Sequence, residues 1–180
     1  MIAEISTTVN SFLSFKLGDE LFAANVAKVL EILELTKITK VPKSPDYMRG
    51  VINLRGNVLP VIDTRIKFGM PAITNTINTC IIVLDIEMEG ESVKVGLLVD
   101  MVQEVLQIDA ENIQPPPSIG HKYKSDFIQG IGKLDDEFVM ILKIDQVLST
   151  DELSIIQEKS RDPEKDEKKA VAGKRKLAKK

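Results

Sequence analysis

The chain of 180 residues has no tryptophan, two tyrosines, one cysteine and one histidine, and none of its uninterrupted apolar runs exceeds the five residues of Cys80-Ile81-Ile82-Val83-Leu84. One cysteine excludes a disulfide within the chain. Inside an apolar run, Cys80 reads as a small buried hydrophobe and not as a reactive thiol. One Cys and one His cannot assemble the common zinc sites, and His121, in a Pro- and Lys-bearing loop, reads as an exposed loop residue, not a catalytic base. A five-residue run is far short of the ~20 residues that span a bilayer. The start Met1-Ile2-Ala3-Glu4 has no basic segment leading into an apolar stretch, so export is not expected and a cytoplasmic protein is. No Gly-rich loop ends in Lys-Ser or Lys-Thr, and Gly130-Ile131-Gly132 lacks the third glycine and the helix of a dinucleotide fingerprint. The carboxylates Asp135-Asp136-Glu137 fall in a hairpin turn, where solvation is expected. No catalytic, cofactor-binding or metal-ligating residue is therefore assigned, and the chain does not read as an enzyme.

Charge is divided unevenly. The net charge is −3, but residues 158–180 hold ten Lys and Arg against five Asp and Glu, which leaves residues 1–157 at −8. Small β-rich proteins that bind single strands combine a basic groove with aromatic stacking platforms. An acidic body with 4% aromatics has neither, so any nucleic-acid contact would come from the tail, be nonspecific and weaken with salt. A nucleic-acid-associated small barrel remains the alternative from another functional class.

What the sequence does have is a repeat. Tyr47-Met48-Arg49-Gly50-Val51-Ile52-Asn53-Leu54 is echoed eighty residues later by Phe127-Ile128-Gln129-Gly130-Ile131-Gly132-Lys133-Leu134, and both apolar runs resume after three polar or Gly residues. Upstream, Val26, Val29, Leu30 and Ile32 have counterparts in Val102, Val105, Leu106 and Ile108 at a spacing of 76, the drift that a loop insertion produces. Two modules of this length are each too small for a comfortable core and are expected to pack on one another.

Turn signals and alternating apolar runs predict an all-β fold of ten strands in two groups of five, with few short helices. Closing each group into a barrel protects its strand edges. The expected units are a first barrel at about 12–68 and a second at about 77–146, with strand exchange between them open. Single helical turns are expected at 44–49 and 125–127. Ser149-Thr150-Asp151-Glu152 is a capping box, stapled by Leu148 and Leu153, that starts a closing helix at about 149–159. The Lys-rich stretch 160–180 has almost no apolar anchor and is expected to be disordered.

Gly50-Val51-Ile52-Asn53-Leu54-Arg55-Gly56, followed by Val58-Leu59-Pro60-Val61-Ile62-Asp63-Thr64-Arg65, resembles the CheW family of chemotaxis coupling proteins. Gly18-Asp19-Glu20, Val26 to Ile32, Val99-Asp100-Met101-Val102 and the closing helix extend the likeness over about residues 12–157. The resemblance implies two intimately packed five-stranded SH3-like barrels and a non-enzymatic adaptor. Its implied partners are the regulatory domain of the histidine kinase CheA and the cytoplasmic tip of methyl-accepting chemoreceptors, in arrays at the inner face of the membrane. A coupling module of the CheV type is the alternative, although no receiver-like pattern follows residue 156. By the same resemblance, partner-binding positions are Val29, Glu31, Gly50, Arg55 and Val102. Glu31, a charge in an apolar stretch, needs a donor, and Arg55 is expected to supply it in a partly buried pair.

Overall fold

The computed structural model describes residues 11–116 and 127–161. The expectations for His121, for part of the turn at 125–127 and for the tail beyond Arg161 lie outside these residues.

Ten strands fall where the alternation places them, and an eleventh is added. They are β1 (Ser11–Leu17), β2 (Glu20–Asn25), β3 (Val29–Glu34), β4 (Met48–Leu54), β5 (Asn57–Asp63), β6 (Cys80–Met88), β7 (Glu91–Val99) and β8 (Met101–Gln107). The two-residue β9 (Ile113–Gln114) comes next, then β10 (Ile128–Leu134) and β11 (Glu137–Leu142). Among the described residues, helix is confined to short 3-10 turns, a four-residue α1 (Thr64–Lys67) and α2 (Thr150–Arg161). The segment expected as a helical turn near residue 45 closes by a single bond from the Met48 amide to the Pro45 carbonyl, 2.9 Å, and goes straight into β4.

The strands form two sheets, in the orders β8-β1-β2-β11-β10-β9 and β3-β6-β7-β5-β4. Each sheet crosses the boundary expected between residues 68 and 77. The hairpin β1–β2 leaves β3–β5 and joins the later strands, while β6–β7 joins the earlier ones. The joints are the two parallel pairings, Val61↔Gly96 through Asp63↔Leu98 and Val139↔Leu21 through Ile141↔Ala23. Two repeats that exchange hairpins in this way cannot separate without exposing strand edges, so the exchange binds the halves into one folded unit.

The duplication is visible in the hydrogen bonding. In the β4–β5 hairpin the register slips between Met48 and Gly50; in β10–β11 it slips between Ile128 and Gly130, eighty residues on. The glycines behind both slips admit a passing strand. A Cβ on Gly50 would stand 2.2 Å from the Thr39 carbonyl oxygen, and one on Gly130 would stand 2.7 Å from that of Gln114. The strands admitted are equivalent too: Thr39 bridges Val51, and Gln114 pairs with Ile131.

Three apolar clusters follow from this topology. Ile52, Leu59, Val61, Ile73, Ile81, Val83 and Leu98 fill the concave side of the five-stranded sheet. Phe12, Leu21, Ala23, Ile108, Val139 and Ile141 do the same for the other. Each set draws on strands across its sheet, which gives two small SH3-like barrels. The largest cluster lies between them, with Phe15, Leu17 and Phe22 facing Ile82, Leu84, Val95 and Leu97. Strands β6 and β7 are thus covered on both faces, which is why they read as near-continuous apolar runs and not as simple alternation. Helix α2 closes the interface with buried Leu153 and Ile156. Its capping box forms as expected: the Ser149 amide donates to Glu152 Oε1 and the Glu152 amide to Ser149 Oγ, both at 3.1 Å.

Candidate partner-binding surface

The positions singled out in the sequence separate into three environments. Glu31 and Arg55 meet. Strand β3 is the edge of its sheet, and the Arg55-Gly56 turn between β4 and β5 reaches across to it. Arg55 Nη1 donates to Glu31 Oε1 at 3.1 Å and Nη2 to Oε2 at 2.7 Å, a two-pronged fork onto a carboxylate. The Glu31 side chain is 24% exposed and that of Arg55 75%, so the expected partial burial holds for the carboxylate and not for the guanidinium. Arg55 sits at φ 51, the left-handed conformation that the tight turn needs.

Val29 opens β3 and Val102 is the second residue of β8, one edge strand, or rim, of each sheet. Each is half-buried against the cluster between the barrels. Val29 pairs with Leu84 and Val102 with Phe15. The two rims converge on Cys80: Glu34 of β3 pairs with it, and the Val102 backbone hydrogen-bonds its thiol. Burial pushes the Cys80 thiol pKa up and outweighs that hydrogen bond, in keeping with a packing role. Gly50 belongs to neither group. It is buried, at φ 146, beneath the segment that carries Thr39. What it contributes is room for a close approach, because any side chain there would strike the Thr39 carbonyl.

The sequence reading missed the most exposed apolar groups on the rims. Leu30 and Ile32 are each 47% exposed and Val105 57%. They continue apolar runs, yet they sit on edge strands, which have a neighbouring strand on one flank only. Sequence signal for this was present in Glu34, which shares the exposed face of β3 with Leu30 and Ile32, whereas Glu31 lies on the opposite, partly buried face with Val29 and Leu33.

A second missed feature holds the crossover from β7 to β8. Arg65 Nε donates to Asp100 Oδ1 at 2.8 Å, a second guanidinium nitrogen bonds Oδ2, and the Gly18 amide reaches Oδ2 at 2.6 Å. Burial works against the Asp100 charge, but these donors outweigh it and its pKa lies below the ordinary 3.8. One carboxylate thereby ties β5–α1, the β1–β2 turn and the approach to Val102. Glu152, at the head of α2, is likewise held below its ordinary value: burial opposes its charge, and Lys67 with the Ser149 cap outweighs the burial.

Among the described residues no group of His, Cys, Asp and Glu is placed to hold a metal, and no helix is long and apolar enough to cross a membrane.

A family model described as a CheW-like domain matches residues 11–152. Chemotaxis protein CheW of Klebsiella aerogenes is 34% identical over 150 residues, covering 83% of this chain and 88% of that protein. A probable chemotaxis protein CheW of Rhizobium etli is 38% identical over 140 residues, covering 78% and 88% respectively. Among solved structures, the scaffolding protein TtCheW of Thermoanaerobacter tengcongensis superposes with a TM-score of 0.69 at 35% identity, over 78% of this chain and 92% of that one. Neither the nucleic-acid reading nor the CheV-type module gains support from these matches.

Proposed function

The chain belongs to the CheW-like family and is a non-enzymatic coupling adaptor of chemotaxis; from that premise we propose that it joins the regulatory domain of the histidine kinase CheA to the cytoplasmic tip of methyl-accepting chemoreceptors. The observation that carries this reading is the pair of apolar rims, with Leu30, Ile32 and Val105 exposed beside half-buried Val29 and Val102. A receptor tip is a helical hairpin. An amphipathic helix laid along such a rim would add apolar anchors at i, i+3, i+4 and i+7, and the Arg55–Glu31 fork would fix the end of the contact. Glu31, Arg55, Val29 and Val102 are in this reading partner-facing, and Gly50 supports the contact from beneath. The chain acts as a monomer until assembled, at arrays on the inner face of the membrane, and signals by shifting the populations of array states without chemistry of its own.

The test is co-sedimentation of the purified chain and kinase with vesicle-bound receptor cytoplasmic fragments. Ile32→Asp removes a half-exposed apolar contact and should weaken receptor binding about tenfold or more, roughly 1.4 kcal/mol, while the thermal melt stays close to that of the parent. Full receptor binding by both Ile32→Asp and Val105→Asp would overturn the rims as the docking surface.

A further inference from the structure

Among the described residues the chain passes between the two sheets twice, from β2 to β3 and from β7 to β8, and each passage delivers it directly into a rim. Both rim strands are irregular near their entry. The β3–β6 register slips between Val29 and Glu31, which makes Leu30 the extra residue, and the β1–β8 register slips where Gln103 and Glu104 stand opposite Ser14 alone. A bulge interrupts the ladder and re-aims the side chains beside it. Ahead of the slip each rim is paired at only one or two residues, Val29 in β3 and Met101 and Val102 in β8.

Polar ties hold these entries. Asp100, the one residue between β7 and β8, binds Arg65 of α1 and the Gly18 amide of the β1–β2 turn. The other passage has a tie of the same three parts. Lys28 ends the 3-10 turn Val26–Lys28 that leads into β3; its Nζ lies 3.2 Å from Asp145 Oδ2, and Asp145 Oδ1 accepts the Glu87 amide of the β6–β7 hairpin at 3.0 Å. Asp145 stands eighty residues after Arg65, the spacing of the repeat, and each sits just past a repeated hairpin, β4–β5 or β10–β11. At both junctions a crossover, a hairpin end and the turn that follows β5 or β11 therefore meet at one carboxylate. It belongs to the crossover in one and to the turn in the other, so the charges are reversed while the junction is kept.

We propose that Arg65, Asp100, Lys28 and Asp145 are positioning residues, forming two nodes related by the duplication that fix the aim of the β8 and β3 rims and thereby set how tightly a partner docks. This rests on the reading of the rims as the docking surface. Exposure separates aim from bulk stability. The Lys28 and Asp145 side chains are 33% and 42% exposed, and so exposed an ion pair contributes little to the stability of a fold. What it supplies is a fixed point beside Val29, where the rim begins. The Arg65–Asp100 fork is more covered, at 23% and 21%, and serves both ends.

Methyl NMR and receptor co-sedimentation on the full chain test this together. Asp145→Asn and Arg65→Gln each alter the member of a node that lies far in sequence from the rim it holds. Asp145→Asn should move the methyl signals of Val29 and Leu30 and leave those of Val102 and Val105 in place; Arg65→Gln should do the reverse. Each should weaken binding to vesicle-bound receptor fragments about threefold or more, at a temperature well below its melt. Lys67→Gln breaks a pair of similar burial between α1 and α2 without touching a rim entry, and should bind within about twofold of the parent. Where Arg65→Gln fails to fold, Arg65→Lys replaces it, keeping the charge and losing the fork. Unmoved rim methyls would overturn the proposal, and so would an equal loss of binding in Lys67→Gln. Moved methyls with full binding, in an assay where Ile32→Asp still loses it, would overturn it too. Full binding by both Ile32→Asp and Val105→Asp would instead refute the docking surface itself, a failure told apart by rim methyls that still move.

Discussion

The fork between Arg55 and Glu31 makes a quantitative claim that a double-mutant cycle can decide. Two well-formed hydrogen bonds, 3.1 and 2.7 Å, argue for strength, whereas a guanidinium 75% exposed argues for screening. Exposed ion pairs contribute about 0.2–1 kcal/mol, and the two-pronged geometry with a largely covered carboxylate places this one at the upper end, about 1 kcal/mol. Glu31→Ala should destabilise by about that amount, because Arg55 is left free in water at little further cost. Arg55→Ala should destabilise somewhat more, since it leaves a largely covered carboxylate unmatched. The double variant should fall short of the sum by about 0.5–1 kcal/mol. Urea denaturation followed by circular dichroism reads all four corners, and the coupling should shrink in 1 M salt, where the Debye length falls to ~3 Å. Additivity within about 0.3 kcal/mol would show that the fork contributes nothing to the fold and would return Arg55 to being a solvated turn residue.

Gly50→Ala should cost about 3 kcal/mol or more, because its Cβ would sit 2.2 Å from a backbone oxygen at φ 146, whereas Gly56→Ala, at φ 85 with open space around it, should cost about 1; equal urea midpoints for the two would refute the close approach as the reason. The Asp100 and Glu152 pKa values are depressed in the folded state, so their stabilisation is present above the ordinary values of 3.8 and 4.5 and is lost as pH falls through the lower folded ones. Stability should therefore decline as pH drops below about 4.5, and Asp100→Asn should flatten that decline; an unchanged pH profile in that variant would assign the acid sensitivity elsewhere.

The legible part of this protein was local. Alternation and turn residues placed ten strands, the capping box placed α2, and the eighty-residue echo anticipated two hairpins that share even the position of a register slip, because each of these is set by residues close together in the chain. The need of Glu31 for a donor was also readable, although the reason given for it, burial among apolar neighbours, was half right. Which strands share a sheet was not readable. The hairpins β1–β2 and β6–β7 carry apolar residues on both faces and fit beside either half, and the choice between staying and exchanging rests on the parallel joints to β11 and β5, which have no local signature. Exposure followed from that choice. Leu30, Ile32 and Val105 look like core in a run of letters and lie on rims because no strand covers their outer side, while Gly50 looks like a turn at the surface and is roofed by a segment eleven residues upstream. Sequence fixes the periodicity of a strand through its own side chains; which face meets water depends on what the rest of the chain lays against it.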